Sequence, residues 1–127
     1  MTINQSLVNL LKTYSKILLP IYWAFLTYML LRPGTENKEY FFMVPNLDKL
    51  IHFSIFFFLG FLFRIRFPKI SLYQYLLILI VYALLTEIFQ HIMQLGRSLE
   101  ILDAIADTLG IFLAYYIYIK IFKIDIN

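Results

Sequence analysis

No cysteine occurs among the 127 residues, so disulfides, thiolate zinc sites and cysteine nucleophiles are excluded. Charge is scarce as well. Asp, Glu, Lys and Arg make up 15% of the chain, against about 25% in an ordinary soluble domain. Basic stripes and zinc-finger spacings are missing, so the net charge of +3 does not point to nucleic acid as a partner. No internal repeat and no low-complexity tract is present. What fills the chain is apolar: 61% of residues are hydrophobic, where about 45–50% is usual. That balance places the sequence in the membrane class and leaves no length for a separate soluble domain.

Four apolar stretches stand out, at about 14–31, 47–63, 70–92 and 100–122. A hydrocarbon core of about 30 Å needs about 20 residues of helix, so the last two reach across with ease and the first two are marginal. A soluble bundle would show polar stripes at helical spacing. The stretch SLYQYLLILIVYALL, residues 71–85, has almost none, and FSIFFFLGFLF, residues 53–63, has only Ser54 and Gly60. The expected fold is therefore all-α: a four-helix transmembrane bundle forming one membrane domain over residues 1–127. Lys12 and Lys16 before the first apolar run imitate a signal peptide, but Leu31-Arg32-Pro33-Gly34 after it offers no small-x-small cleavage pattern. The run is read as a retained helix, with Pro20 near its start. Turns are expected at Pro33-Gly34, Pro68 and Gly96.

Four spans put both termini and the second loop on one side. That side carries Lys12, Lys16, Arg64, Arg66, Lys69, Lys120 and Lys123; the other carries Arg32, Lys38, Lys49 and Arg97. The positive-inside rule then predicts cytoplasmic termini. The acids fall almost entirely on the outer side, with Asp125 alone inside. Tyr115, Tyr116, Tyr118 and Trp23 are read as interfacial aromatics without a specific task.

The outer ends of three helices hold a polar constellation. Helix two opens with Asp48-Lys49-Leu50-Ile51-His52, in which Asp48 and His52 are four apart and share a face. Helix three ends with Thr86-Glu87-Ile88-Phe89-Gln90-His91, in which Glu87 and Gln90 share a face. Arg97 and Ser98 follow in the loop, and helix four brings Glu100, Asp103 and Asp107 with Gly110 one turn deeper. An ionisable group inside a span costs about 2.5–3.5 kcal/mol, so Glu87, Asp103 and Asp107 must face protein or water. Lys49, His52 and Arg97 are partners at the same depth, and Arg97 can grip a carboxylate or a phosphate with paired hydrogen bonds. Gly60 and Gly110 would let helices two and four approach closely.

Plainer readings stand beside this one. Asp48 can act as a helix cap, as can Ser98 or Glu100, and Lys49 can simply reach the headgroups. His91 reads as an ordinary interfacial residue. Buried polar residues can also hold helices together without chemistry. His52, Glu87, Asp103 and Asp107 are ligand types that could bind zinc or another divalent ion, but no metal or other cofactor is expected: HExxH spacing is missing, and Lys49 and Arg97 would compete with a cation.

Three stretches in order, DKLIHFSIFFFLGFL (48–62), YALLTEIFQ (82–90) and GRSLEILDAIADTLG (96–110), resemble the VanZ-like family of bacterial membrane proteins. The shared pattern is D-K-x-x-H, then E-x-x-Q, then R-S with D-x-x-x-N and a glycine. This chain departs from it at Asp107, where the family often has asparagine. The resemblance implies a multi-pass protein of the bacterial cell membrane (the inner one in a Gram-negative cell). Some members of the family are linked to teicoplanin resistance; no biochemical activity follows from the likeness.

Four functions remain open on the residues. The first is an envelope protein that binds a membrane lipid or a lipid-linked cell-wall intermediate through Asp48, Lys49, His52, Glu87, Gln90, Arg97, Ser98, Asp103 and Asp107. The second is a membrane enzyme acting on an envelope lipid by acid–base chemistry, with His52, Glu87 and Asp103 as candidate catalytic groups. A small exporter or channel is the third, disfavoured because residues 18–31 hold no acid and the polar residues keep to one side. The fourth is an accessory subunit whose polar cluster is structural.

Overall fold

The structure is a computed structural model that describes residues 4–31, 47–92 and 101–121. The described residues form four helices and no strand: α1 (Asn4–Leu31), α2 (Leu47–Arg66), α3 (Leu72–Ile92) and α4 (Ile101–Ile121). The all-helical class expected from composition is what the chain adopts. Stretches within α1, α3 and α4 are long and apolar enough to cross a membrane. Helix α2 has 20 residues and so reaches ~30 Å. Its ionisable residues keep to its two ends and leave an apolar middle.

Two helices run further than the hydropathy pattern predicted. Helix α1 begins at Asn4 rather than near residue 14, because Leu7, Leu10 and Leu11 continue the helical spacing ahead of Tyr14. Pro20 therefore lies well inside α1, not near its start, and leaves the Lys16 carbonyl without its usual amide partner. Helix α2 runs to Arg66 rather than residue 63, since a hydropathy window stops at arginine while the backbone does not. Helix α3 starts at Leu72, where Ser71 and Gln74 form a capping box. The Ser71 hydroxyl accepts from the Gln74 amide at 3.1 Å, and the Gln74 side chain accepts from the Ser71 amide at 3.5 Å. The last helix covers 101–121, one residue inside the predicted span at each end.

The helices form a ring in which α2 packs on α1 and α4, and α3 packs on α4 and α1. The pair α2–α4 is the most extensive. Helices α2 and α3 thus lie across the bundle from each other and meet through side chains, such as Phe56 with Tyr82 and Phe63 with Tyr75. Glycine explains the α2–α4 contact. A Cβ at Gly110 would run into the Phe53 carbonyl and come within 3.0 Å of the Phe57 nitrogen. At Gly60 it would meet the Tyr75 hydroxyl and lie 3.1 Å from Ala114 Cβ. The close approach expected of these two glycines is present.

The interior is apolar along most of its length, around Phe56, Leu59, Tyr75, Leu79 and Ile111. Buried hydroxyls bridge helices there. Tyr75 donates to the Ile111 carbonyl at 2.7 Å, and Tyr22 to the Ile55 carbonyl at 2.7 Å. Trp23 belongs to this packing rather than to an interface. Its ring stands edge-on to Tyr82 at 5.3 Å and to Phe63 at 5.8 Å. Outward positions such as Ile17, Ile21, Phe25, Leu109 and Phe112 are exposed and apolar, as a lipid-facing surface requires.

Candidate functional site

The site grows from the buried faces of α3 and α4. On α4 the buried positions are Asp103, Asp107, Gly110, Ile111, Ala114 and Tyr118, a helical stripe whose first two members are acids. On α3 the stripe ends in Thr86, Glu87 and Gln90. Between them, across the ring, α2 contributes Lys49 and His52 from its first two turns. Because α2 and α4 start, and α3 ends, at the same end of the bundle, the three sets meet on its axis. Asp107 is six residues into α4, so the deepest point lies ~9 Å inside the helix start.

His52 is the hub. Its Nδ1 donates to Asp107 Oδ1 at 2.8 Å and lies 3.9 Å from Glu87 Oε2. Its Nε2 lies 3.6 Å from Asp103 Oδ2. Lys49 completes the chain with its ammonium 3.3 Å from Asp103 Oδ1. Burial is deep for such groups: Asp107 is fully enclosed, Glu87 is 2% exposed, and His52 and Asp103 are 8% exposed. Asp107 Oδ2 is buried and has no hydrogen-bond partner among the described residues. Even with His52 protonated, these five side chains hold three carboxylates against two cations, a formal excess of negative charge.

Of the residues singled out in the sequence, Lys49, His52, Glu87, Asp103 and Asp107 are brought together. Gln90 is buried on the same helix face but is engaged elsewhere: its amide donates to the Leu30 carbonyl and ties the end of α3 to the end of α1. Thr86 spends its hydroxyl on the Ala83 carbonyl at 2.8 Å. Arg97, Ser98, Glu100 and the Asp48 side chain lie outside the described residues. His91 is exposed, in keeping with an interfacial role.

Sequence reasoning missed a second polar site at the opposite end. Arg64 was counted as a charge that sets topology, yet it is only 5% exposed. One of its guanidinium nitrogens donates to the carbonyls of Phe67 at 3.2 Å, Ile70 at 3.5 Å and Pro68. Its guanidinium carbon Cζ lies 4.8 Å from the Tyr115 ring centre and 5.0 Å from that of Tyr118. Arg64 thus fixes the α2–α3 turn against α4, and Tyr115 and Tyr118 have a task beyond the interface. The signal was Tyr115 and Tyr118 on one helix, three residues apart and so on one face, together with an arginine next to a turn with Pro68, and positive-inside counting absorbed it.

The profile of the family described as VanZ/LLP1 matches residues 2–123. No curated protein and no solved structure matches the chain.

Proposed function

We propose, from the premise that this chain belongs to the VanZ/LLP1 family, that its buried polar cluster receives the polar headgroup of a membrane lipid or a lipid-linked envelope intermediate. One observation carries the reading. Lys49, His52, Glu87, Asp103 and Asp107 converge from three helices at one end of a bundle whose middle is packed with apolar side chains. Burying such groups costs several kcal/mol, and ionisable residues at membrane depth mark pathways and sites more often than scaffolds. The end of a bundle is also the depth at which a headgroup lies. Lys49, 23% exposed at its side chain, is the more exposed of the two cationic groups described in the cluster, and Arg97 supplies another cation in the sequence between α3 and α4. Both would hold a phosphate; Glu87 and Asp103 would orient them and accept from headgroup hydroxyls. The protein then works in the cell membrane with this end on the non-cytoplasmic side.

The test uses the full chain purified in detergent and titrated with phosphatidylglycerol, a polyprenyl phosphate and, as control, phosphatidylcholine. Preferential binding of one of the two anionic lipids is expected. Arg97→Ala and Glu87→Gln should each weaken it by about tenfold while leaving helix content unchanged. Equal binding of all three lipids, or unaltered binding in both variants, removes the reading. A link to glycopeptide resistance is tested separately, by teicoplanin susceptibility of cells that express the chain. A raised inhibitory concentration lost in Arg97→Ala supports it, and no change sets it aside.

A second reading, acid–base catalysis on an envelope lipid, is favoured by the 2.8 Å bond between His52 and Asp107. A carboxylate on one ring nitrogen fixes the tautomer and orientation of an imidazole that handles protons with the other. Labelled envelope lipids incubated with the protein should then yield a product that His52→Gln abolishes; no product across the panel rejects this reading.

A further inference from the structure

We propose that His52, Glu87 and Asp107 form a binding site for one divalent first-row cation, zinc foremost. The inference does not depend on the headgroup reading. Three observations support it. The first is geometric. One donor atom from each residue, the imidazole Nδ1 and two carboxylate oxygens, lies within 4.8 Å of the others, and all three residues are buried. Tetrahedral zinc at about 2.0–2.2 Å from N and O ligands needs donors roughly 3.3–3.5 Å apart. The observed 2.8 Å between His52 and Asp107 and 3.9 Å between His52 and Glu87 bracket that spacing, and the two carboxylates are within 4.8 Å of each other, so shifts of about an ångström would bring the three donors to it.

The second observation is Asp107 Oδ2. It belongs to a fully enclosed side chain and has no hydrogen-bond partner among the described residues. A buried carboxylate oxygen left in this way costs free energy that a cation would recover if the carboxylate held it through Oδ2 or through both oxygens.

The third is the shell around the trio. A metal-ligating histidine normally presents its other ring N–H to a carboxylate, which fixes the tautomer and strengthens the ligand. Binding a cation at Nδ1 displaces the proton that nitrogen carries and leaves the imidazole neutral with its proton on Nε2; Nε2 faces Asp103 Oδ2 at 3.6 Å, and Asp103 is itself held by Lys49 at 3.3 Å. Lys49, which the sequence suggested as a competitor for a cation, is thus engaged one step outside the trio. The missing HExxH spacing is no obstacle either, because the three ligands come from three helices. Three protein ligands leave one position open, the arrangement of a site that meets an exogenous oxygen ligand.

The experiment uses the full chain in detergent with no lipid added, so its outcome is separate from the headgroup titration. The protein is stripped with a chelator, exposed to zinc chloride, desalted and assayed for metal by mass spectrometry. One zinc per chain is expected. His52→Ala should lose it. Asp107→Asn, which places the residue of the family pattern at that position, should fold and bind more weakly. Asp103→Asn should lower affinity by about 10–100-fold through the histidine it orients. Cobalt(II) in the unmodified protein should give ligand-field absorption distinct from that of the aquo ion, a readout that a merely structural trio would not produce. Zinc far below one per chain, full zinc retention in His52→Ala and Asp107→Asn, or an aquo-like cobalt spectrum overturns the proposal. Where a variant does not fold, the cobalt spectrum of the unmodified protein decides.

Discussion

His52 touches carboxylates from two other helices, and each contact uses a defined ring nitrogen. A residue so placed transmits any change among its neighbours, which is why single substitutions in the cluster are informative. Away from the cluster, the sharpest residue-level case is Tyr75. It is fully buried, and its hydroxyl donates to the Ile111 carbonyl at 2.7 Å. Tyr75→Phe keeps the ring and removes only that bond. Interhelical hydrogen bonds in membranes contribute about 0.6 kcal/mol on average and up to about 1.7 kcal/mol, so a loss in that range is expected in unfolding from detergent. No loss would show that the carbonyl finds another donor. The charge pattern made Glu87, Asp103 and Asp107 legible in the sequence, because helical spacing aligned them and burial had to pair them. Tyr75 was not legible. Its value depends on a hydroxyl meeting a carbonyl on another helix, and no local pattern encodes that.

At the scale of elements, two junctions hold the bundle. The α2–α4 contact depends on Gly110, whose missing Cβ gives room to the Phe53 carbonyl and Phe57 nitrogen of α2. Backbone cannot step aside as a side chain can. Gly110→Ala is expected to destabilise the fold and Gly110→Leu to prevent native packing, read as a lowered unfolding temperature and as aggregation in size-exclusion chromatography. An unaltered Gly110→Leu protein would contradict the packing. The α2–α3 turn depends on Arg64. Arg64→Met keeps an extended side chain but withdraws the donors from the Phe67, Pro68 and Ile70 carbonyls, at a cost of about 1–3 kcal/mol. Thermal unfolding measures it, and an unchanged midpoint would mean that water satisfies the turn. Hydropathy located the four helices well because lipid contact needs long apolar runs. It misplaced the start of α1 and the end of α2, where polar residues continue a helix past the apolar run. It also said little about Gln90, whose helix face suited the cluster but whose amide is engaged with the Leu30 carbonyl.

At the scale of the whole molecule, the proposed function requires a defined sidedness and a polar end that serves as a site. The basic residues of the second loop and the termini predict the sidedness, and the lack of cysteine makes it easy to measure. Single cysteines introduced at Thr2 and at Lys69 should be labelled by a membrane-impermeant maleimide only after the cells are opened. One introduced at Lys38 should be labelled in intact cells. The reverse pattern would put the cluster on the cytoplasmic face and move the expected ligand with it. The family and the residues of the cluster could be reached from the ordered motifs, and the helix count from the four apolar runs. The ring order, which seats α2 opposite α3 and so puts His52 and Glu87 on the axis, could not, because it depends on which faces pack.

The most direct measurement is an experimental structure of the full chain in a lipid bilayer disc that contains phosphatidylglycerol and a polyprenyl phosphate. The account predicts headgroup density beside Lys49 at the open end of the cluster, within hydrogen-bonding distance of its ammonium. Acyl chains sealing that end, with no polar density near Lys49 or His52, would contradict it and leave the cluster as a structural network.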